Sequence, residues 1–179
     1  TIDCGLNKIV GNNTTIKAID DITSLIRGNF IEGLKIDGNG YEIGFGIDCV
    51  NTPTGCYIAD NEIINIKNNT TAVIGISVND TSHDDQICRI VNNHIHDLFS
   101  LSNGIIGDNP GTCMGIVAYC NPSVIIEGNT IHKIPVPDDG YGIYAAHRPG
   151  STGVTVVKNN YIYDVDNTGI KVHRPNTIS

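Results

Sequence analysis

The sequence predicts an all-β chain that folds as a single-stranded, right-handed parallel β-helix, a solenoid of about six coils. Two repeating elements indicate this fold. The first is a hydrophobic–x–x–Asn–x–hydrophobic element, whose asparagines are Asn29, Asn39, Asn61, Asn93, Asn129 and Asn160. The second is a Gly-Ile dipeptide, which begins at Gly46, Gly75, Gly115, Gly142 and Gly169. From Gly46 onward the two elements alternate strictly, so that each pair defines one coil.

Each repeat offers short β-prone runs between Gly, Asn, Asp and Pro residues. One such unit cannot bury its own hydrophobic face, whereas stacked units enclose a continuous core. Asparagine suits the turn between two runs because it tolerates the left-handed backbone region and forms local hydrogen bonds. We therefore expect the turn asparagines to stack as a hydrogen-bonded ladder, whose members are Asn61, Asn93, Asn129 and Asn160.

The two ends of the solenoid differ in sequence. We expect one domain over 1–179, with an N-terminal cap and first coil over 1–33 and regular coils over 34–179. Residues 18–27 fit either a short capping helix or a loop. After a last strand at 169–173 no cap is visible, and an open solenoid end exposes a sheet edge. This end therefore predicts self-association into a filament or lattice, or a chain cut from a longer protein.

Composition narrows the compartment and the partners. The 179 residues carry 11 Lys and Arg against 19 Asp and Glu, a net charge of −8, which disfavours nucleic acids and anionic membranes as partners. No apolar run approaches the roughly 20 residues of a membrane span. The chain starts at Thr1 without a signal peptide, as in a mature or excised form. Six cysteines, an even number, fit an oxidising compartment, so we expect an extracellular, cell-surface or periplasmic protein.

Two cysteines occupy equivalent positions in neighbouring repeats. Cys56 precedes Asn61 by the same number of residues as Cys88 precedes Asn93. Stacked strands bring equivalent Cα atoms to about 5 Å, within the disulfide range, so we expect a disulfide or a close sulfur contact. The pairing of the remaining cysteines stays open; these are Cys4, Cys49, Cys113 and Cys120. Glycosylation sequons begin at Asn12, Asn13, Asn68, Asn69 and Asn79, although an Asn-rich chain makes such triplets by chance.

The Asn-turn repeats and the run Leu34-Lys-Ile-Asp-Gly-Asn-Gly-Tyr-Glu-Ile43 resemble the parallel β-helix repeat family. That family includes pectate-lyase-like enzymes and periplasmic copper-binding β-helix proteins. The resemblance covers residues 25–179. It implies that Gly-Ile opens the first strand of each coil and that the segments before and after the asparagine are the second and third strands. It does not single out a function, because this fold hosts lyases, hydrolases, tailspikes and surface repeats.

Two corners after the Gly-Ile strands carry the triplet His-Arg-Pro. They are expected to place His147 and Arg148 near His173 and Arg174 on successive coils. Such a set suits the carboxylates of acidic sugars or of an acidic partner, and solvated charges at a proline-fixed corner are the alternative. If the protein is a lyase, an arginine would act as general base beside aspartate ligands of calcium. The candidate residues for that case are Asp138, Asp139, His147, Arg148, His173 and Arg174.

Three histidines form a second set. His94 and His96 point to the same side of one strand, since alternate residues share a face. Counted from their repeat asparagines, His96 and His132 occupy the same position and are expected to stack, with Tyr163 continuing the row. Three imidazoles on adjacent strands could hold Cu or Zn. An outward-facing polar row without a metal is the alternative.

The sequence favours a non-catalytic extracellular module with a structural or adhesive role, which self-associates through its coil ends. The reasons are the nearly pure repeat, the short loops, the uncapped end and the even number of cysteines. One alternative is a polysaccharide lyase or glycoside hydrolase that acts on acidic polysaccharide. A second alternative is a periplasmic metal-binding module. No cofactor is firmly indicated, and Ca, Cu and Zn are the ions that the residues could accommodate.

Overall fold

The computed structural model describes residues 2–10, 16–19, 24–32, 35–36, 43–50, 56–68, 72–80, 87–100, 112–120, 123–135, 139–147 and 151–173. Within these ranges the chain forms nineteen β-strands and no helix. The strands form three sheets in which every neighbouring pair is parallel. The sheets are numbered first, second and third, in the order in which the chain visits them.

The first sheet contains β1 (Ile2–Gly5), β4 (Ser24–Arg27), β8 (Cys56–Ala59), β11 (Ile87–Val91), β14 (Ser123–Glu127) and β17 (Thr155–Lys158). The second contains β2 (Lys8–Val10), β5 (Phe30–Glu32), β9 (Glu62–Asn68), β12 (His94–Ser100), β15 (Thr130–Ile134) and β18 (Tyr161–Val165), and β6 (Lys35–Ile36) also pairs with β9. The third contains β3 (Ile16–Ile19), β7 (Gly44–Val50), β10 (Val73–Asp80), β13 (Thr112–Cys120), β16 (Asp139–His147) and β19 (Thr168–His173).

The chain therefore visits the first, second and third sheets in turn, and it completes six such coils. Coil one begins with β1, and coils two to six begin with β4, β8, β11, β14 and β17. The prediction of an all-β solenoid of parallel strands is confirmed at this level.

A left-handed residue turns each coil from the first sheet to the second. The residues at this corner are Leu6, Gly28, Asp60, Asn92, Gly128 and Asn159, with φ between 54° and 67°. An asparagine follows each of them directly in the sequence. Glycine, asparagine and aspartate enter the left-handed region more readily than other residues, which explains why they occupy five of the six corners.

The corner asparagines stack as a ladder along the solenoid, and its members are Asn7, Asn29, Asn61, Asn93, Asn129 and Asn160. At each step the Oδ1 of one asparagine accepts two hydrogen bonds from the preceding one. The backbone N–H of Asn93 and its Nδ2 donate to the Oδ1 of Asn129 at 2.9 and 3.0 Å. The Nδ2 of Asn129 donates back to the carbonyl of Ile90 at 2.9 Å. The ladder includes the four asparagines expected from the sequence and extends to two earlier coils.

A row of glycines lines the third sheet at the start of the Gly-Ile dipeptides. A Cβ atom on Gly115 would lie 2.6 Å from the carbonyl oxygen of Gly142 and 2.6 Å from the Cγ2 of Ile131. Gly46, Gly75 and Gly142 are equally confined by the next glycine and by an isoleucine of the second sheet. The repeat thus needs glycine because the backbone of one coil approaches the next coil and the core isoleucine at this position.

The core is a set of aligned aliphatic columns inside the solenoid. Ile58, Ile90 and Ile126 of the first sheet are fully buried, and they lie side by side in the strand register. Equivalent buried columns are Ile63, Ile95 and Ile131 in the second sheet and Ile47, Ile76, Ile116 and Ile143 in the third. Burial of each such side chain contributes about 1.5–3 kcal/mol.

Of the two interpretations left open for 18–27, the capping helix is wrong, and the described ends of this segment are strands rather than loop. Ala18 and Ile19 end β3, and Ser24–Arg27 form β4, while residues 20–23 lie outside the described residues. Ile26 pairs with Ile58, and Asn29 joins the ladder. Strand pairing and the ladder bonds therefore make this segment part of a coil, and the first coil already begins at β1.

The repeat assigned to Ile36 and Asn39 does not begin a coil. Ile36 lies in β6 and pairs with Asn68 at the end of β9, in the second sheet rather than the first. Asn39 lies outside the described residues. Successive ladder asparagines are 22 to 36 residues apart, a length that the short interval between Asn29 and Asn39 does not reach. That interval cannot pass through three sheets.

The expected disulfide between Cys56 and Cys88 is absent, although the two residues do lie on neighbouring coils. No disulfide joins the described cysteines Cys4, Cys49, Cys56, Cys88 and Cys113. In-register parallel strands hold equivalent Cβ atoms near the strand spacing of about 4.8 Å, beyond the roughly 3.5–4.5 Å that a disulfide requires. Cys56 instead makes sulfur contacts with Cys49 and Cys88, and these contacts and its burial raise its pKa well above the usual range.

Candidate metal centre

The candidate site lies on the outer face of the second sheet, where β12 of coil four runs beside β15 of coil five. Ile95 of β12 pairs with Ile131 of β15, and both are fully buried. Because successive side chains of a strand point to opposite faces, the neighbouring His94, His96 and His132 turn outward. The alternating pattern of core isoleucine and histidine thus brings three imidazoles together.

The three rings converge at short range. One nitrogen from each ring lies within 4.8 Å of one nitrogen from each of the other two. The Nε2 of His94 lies 3.0 Å from the Nε2 of His132, a hydrogen bond whose donor depends on the tautomers of the two rings. The side chain of His94 is 43 % exposed and that of His96 is 11 % exposed, while His132 is buried. The cluster is therefore walled on one side and open to solvent at His94.

A stack of flat rings supports the buried side of the cluster. His96 pairs with His132 in the strand register, and His132 pairs with Tyr163 of β18. The His96 and His132 rings are 4.7 Å apart and inclined by 5°, and the His132 and Tyr163 rings are 4.6 Å apart and inclined by 9°. This row is the one expected from counting positions after the repeat asparagines.

Two carboxylates and one ammonium group surround the histidines. The Nδ1 of His96 lies 2.6 Å from the Oδ2 of Asp97, a short charge-assisted hydrogen bond. The Oε1 of Glu62 is 3.8 Å from the Nε2 of His96 and 4.0 Å from the Nδ1 of His94. The Nζ of Lys133 is 3.6 Å from the Oδ1 of Asp97. The site therefore combines three imidazoles with fixed charges of both signs.

The environment keeps two of the imidazoles neutral. Burial lowers the pKa of His94, and the neighbouring His96 lowers it further, while Glu62 acts in the opposite direction. Burial also lowers the pKa of His132, together with His96, His94 and Lys133. Burial alone would raise the pKa of Asp97, but the hydrogen bond from His96 and the charge of Lys133 lower it. At neutral pH the site offers uncharged ring nitrogens beside an ionised carboxylate.

These residues fit a divalent transition-metal ion. Two ligands at about 2.0–2.1 Å from one ion lie about 2.9 Å apart in a square-planar arrangement and about 3.3 Å apart in a tetrahedral one. The 3.0 Å between the Nε2 atoms of His94 and His132 falls between these values. Within the described part of the chain, the buried Nδ1 of His132 has no hydrogen-bond partner. This nitrogen is not the one that faces His94, so an ion held between the two Nε2 atoms would leave it without a partner.

His94 and His132 form a preformed pair, whereas His96 requires a change of ring orientation. The His96 ring is nearly parallel to that of His132. Lone pairs of parallel rings lie in parallel planes and cannot meet at one ion. Binding by all three residues therefore requires the His96 ring to rotate out of the stack, a motion about one side-chain bond.

The predicted corner site is not assembled by the described residues. Ala146, rather than His147, pairs with His173 in the strand register. His147 is buried, and its Nε2 lies 2.6 Å from the Oγ1 of Thr155 and its Nδ1 3.3 Å from the Oγ of Ser151. These hydrogen bonds connect the buried ring of His147 to Ser151 and Thr155, which follow β16. His173 is exposed on the last strand.

The other residues of that prediction add no geometry. Arg148, Arg174 and Asp138 lie outside the described residues, and Asp139 is described only as the first residue of β16. Among the sequons, Asn68 is fully buried and donates a hydrogen bond to the carbonyl of Ala72, so it does not offer an accessible glycosylation site.

Sequence reasoning missed Glu62 and Asp97. Glu62 occupies the same position after its repeat asparagine as His94 does, and the two residues pair in the strand register. The counting that aligned His96 with His132 could therefore have found Glu62.

Asp97 follows His96 directly, but an adjacent residue normally points to the opposite face of a strand. Its left-handed backbone, with φ of 56°, turns it toward His96. Asn65 and Asp164 occupy the same position after their repeat asparagines, and this recurrence of Asn and Asp is the signal that could have indicated the conformation.

Comparisons with known proteins give no family assignment. No family model, no curated protein and no solved structure matches this chain. Among the described residues there is also no helix with the length and hydropathy needed to cross a membrane.

Proposed function

We propose that this protein binds a divalent transition-metal ion, Zn²⁺ or Cu²⁺, through His94, His96 and His132. The observation that carries the proposal is the convergence of three ring nitrogens within 4.8 Å of one another on one sheet face. Imidazole is a preferred ligand of both ions, whereas calcium prefers oxygen ligands. The net charge of −8 also favours attraction of a cation.

We also propose the handedness of the solenoid and the family that it resembles. Parallel crossovers within a sheet are right-handed in nearly all proteins, which supports a right-handed parallel β-helix. The Asn ladder and the glycine row support the resemblance to the parallel β-helix repeat family. We place the protein outside the cytoplasm, at a cell surface or in a periplasm, on that resemblance; the described cysteines form no disulfide and lend this location no support.

Metal titration with matched variants tests the proposal. Calorimetry with ZnCl₂ and with CuCl₂ should show binding to the wild type at micromolar concentrations. His132→Ala removes one nitrogen of the close pair and should abolish or greatly weaken binding. His173→Ala removes an exposed histidine far from the cluster and should leave the affinity unchanged. Equal binding by both variants and the wild type would rule out the three-histidine site.

Thermal unfolding gives a second readout of the same site. An ion at one hundred times its dissociation constant stabilises the folded state by about 2.7 kcal/mol, which raises Tm by roughly 5–10 °C for a chain of this size. The His96→Ala protein should not show this rise. An unchanged Tm of the wild type with either metal would leave the outward polar row as the correct description.

A second candidate function is structural self-association through coil six. The apolar side chains of this coil are unusually exposed, with Val154 at 60 %, Ile170 at 47 % and Val172 at 56 %. A second copy placed against this coil would cover them and continue the sheets. Light scattering in the presence of a chelator should show species larger than a monomer that dissociate in Val172→Lys. A monomer at high concentration would exclude this role for the chain.

The geometry does not favour the acidic-polysaccharide alternative. That reading required His147 and His173 to share one surface, and the register separates them while His147 is buried. The described residues provide no other cluster of Arg, His and Asp at these corners.

A further inference from the structure

We infer that Asp97 is the positioning residue that makes His96 a ligand through its Nε2 atom. The inference rests on the proposed function, since it concerns how one residue of the metal site is prepared. It names a carboxylate that fixes the proton on the ring's other nitrogen, an arrangement that is common among metal-binding histidines and sets their tautomer.

The hydrogen bond to Asp97 decides which nitrogen of a neutral His96 ring carries the proton. A neutral imidazole carries one proton, on either Nδ1 or Nε2. The Nδ1 of His96 is 2.6 Å from a carboxylate oxygen of Asp97, which can only accept a hydrogen bond when ionised. The Nε2 is 3.8 Å from the Oε1 of Glu62, beyond hydrogen-bond range. In the neutral ring the proton therefore resides on Nδ1, and the Nε2 lone pair is free for an ion.

Asp97 is held by its left-handed backbone and by the nearby ammonium group of Lys133. A left-handed residue follows the outward side chain in four successive coils, and these residues are Asn65, Asp97, Lys133 and Asp164, with φ of 57°, 56°, 54° and 55°. Their backbone conformations are equivalent. Asp97 follows His96 and Lys133 follows His132, so of these residues only Asp97 places a carboxylate directly after a histidine of the cluster. The Nζ of Lys133, one coil later, is 3.6 Å from the Oδ1 of Asp97. The charge of Lys133 holds the carboxylate, while the other carboxylate oxygen accepts the hydrogen bond from the Nδ1 of His96.

A neutral side chain in place of the Asp97 carboxylate should change the tautomer of His96. In Asp97→Asn the amide has the same shape, and asparagine also tolerates the left-handed backbone. Its NH₂ group can donate to the Nδ1 of His96, which would move the ring proton to Nε2. That tautomer presents an N–H instead of a lone pair toward the ion. Metal affinity should then fall about 10–100-fold, the usual effect of losing such a partner.

Nitrogen NMR of the metal-free protein tests the inference directly. Long-range proton–nitrogen correlation, recorded at a pH high enough that His96 is in its neutral form, should show the wild-type ring with a protonated Nδ1 and an unprotonated Nε2. In Asp97→Asn the two nitrogens should exchange these states. This readout does not depend on metal binding, so it remains decisive even if the proposed function fails. A wild-type His96 with its proton on Nε2 would overturn the inference.

Calorimetry with ZnCl₂ completes the test, with Asp164→Asn as the matched control. The control removes a carboxylate from the equivalent left-handed position in coil six, next to Tyr163 rather than a histidine. We expect the 10–100-fold loss of affinity in Asp97→Asn only. Equal affinities of the wild type and Asp97→Asn would overturn the role of Asp97. Absence of binding in the wild type would instead overturn the proposed function.

Discussion

At the residue scale, the behaviour of the site depends on the protons that its imidazoles carry. A metal ion competes with protons for ring nitrogens, so a histidine that stays neutral is the better ligand. Burial and the nearby His96 lower the pKa of His94 and of His132. The ring nitrogens of these two residues are therefore available to a metal at a lower pH than those of an ordinary surface histidine.

The same pKa shifts predict how the metal-free protein responds to acid. An unfolded histidine has a pKa of about 6.5, and those of His94 and His132 are lower in the folded state. Between these values the unfolded chain binds more protons, so the free energy of unfolding falls as the pH drops below about 6.5. Above that value the folded protein bears no such penalty.

Urea unfolding at pH 7.5 and pH 5.5 measures this effect. Carboxylates also titrate toward acid pH, so the comparison is with the double variant His94→Gln, His132→Gln, which lacks both groups. The wild type should lose more stability than the variant on acidification. The same loss in both proteins would contradict the assigned pKa shifts.

At the element scale, the corner between the first and second sheets specifies the solenoid. The four inner ladder asparagines each accept two hydrogen bonds from the preceding asparagine, donate one to a carbonyl and are almost fully buried; they are Asn29, Asn61, Asn93 and Asn129. Buried amides that satisfy one another in this way fix the register of neighbouring coils, since a slip would leave them without partners.

Replacement of Asn129 by leucine should therefore destabilise the protein by about 1–3 kcal/mol. The backbone N–H and the Nδ2 of Asn93 would both lose their acceptor inside the protein. The control is Asn159→Gly, which changes the exposed corner residue before Asn160 at a φ of 56° that glycine adopts easily. Chemical denaturation should show a large loss for the first variant and a small change for the second. A neutral Asn129→Leu would argue against the ladder.

The glycine row gives a second prediction at this scale. A Cβ on Gly115 would lie 2.6 Å from a backbone oxygen, whereas a Cβ on Gly169 meets its nearest atom at 3.9 Å. Gly115→Ala should cost about 1–3 kcal/mol through overpacking, and Gly169→Ala should be nearly neutral. Melting curves of the two variants compare the same substitution in a confined and an open position. Similar melting temperatures would show that the coils do not approach as closely as described.

The sequence predicted the elements that repeat with a fixed spacing. Counting from the repeat asparagines was sufficient to align His96 with His132, because the strand register follows the ladder. The two His-Arg-Pro triplets do not follow this strand register, so the prediction that they align was wrong. His147 and His173 are one residue out of step with Gly142 and Gly169, and the glycines follow the strand register.

Features that depend on local geometry were less accessible. The pattern around Asn39 matches the repeat, but β6 extends the second sheet, which only the pairing of Ile36 with Asn68 reveals. Equivalent positions for Cys56 and Cys88 predicted proximity correctly, yet strand spacing does not supply disulfide geometry. The role of Asp97 required a left-handed backbone angle within a strand, which the recurrence of Asn and Asp at this position of the repeat indicates but does not specify.

At the scale of the whole molecule, the proposed ion would join separate coils. His94 and His96 belong to coil four and His132 belongs to coil five, so one ion would cross-link two repeats that otherwise contact each other through strand pairing, the ladder and the core. In a solenoid each coil contacts only its neighbours, and stability is close to a sum of such interfaces. A metal ion at this position would strengthen the interface at the middle of the described chain.

An ion bound between coils four and five should slow hydrogen exchange at the interface of these two coils. On addition of ZnCl₂, amides of β12 and β15 should exchange more slowly, whereas those of β1 and β4 at the far end should change little. Mass spectrometry of peptic fragments measures both groups in one experiment. Uniform protection along the chain would point to a general effect of zinc, and no protection would count against the cross-link.

Anomalous X-ray diffraction from crystals grown with Zn²⁺ or Cu²⁺ tests the central claim most directly. Data collected on both sides of the metal absorption edge locate the ion without reference to the protein atoms. The account predicts one strong peak on the outer face of the second sheet, about 2.0–2.1 Å from a nitrogen of each of His94, His96 and His132, with the His96 ring rotated and bound through Nε2. A fully occupied ion elsewhere, with these three rings unchanged and still stacked, would contradict it.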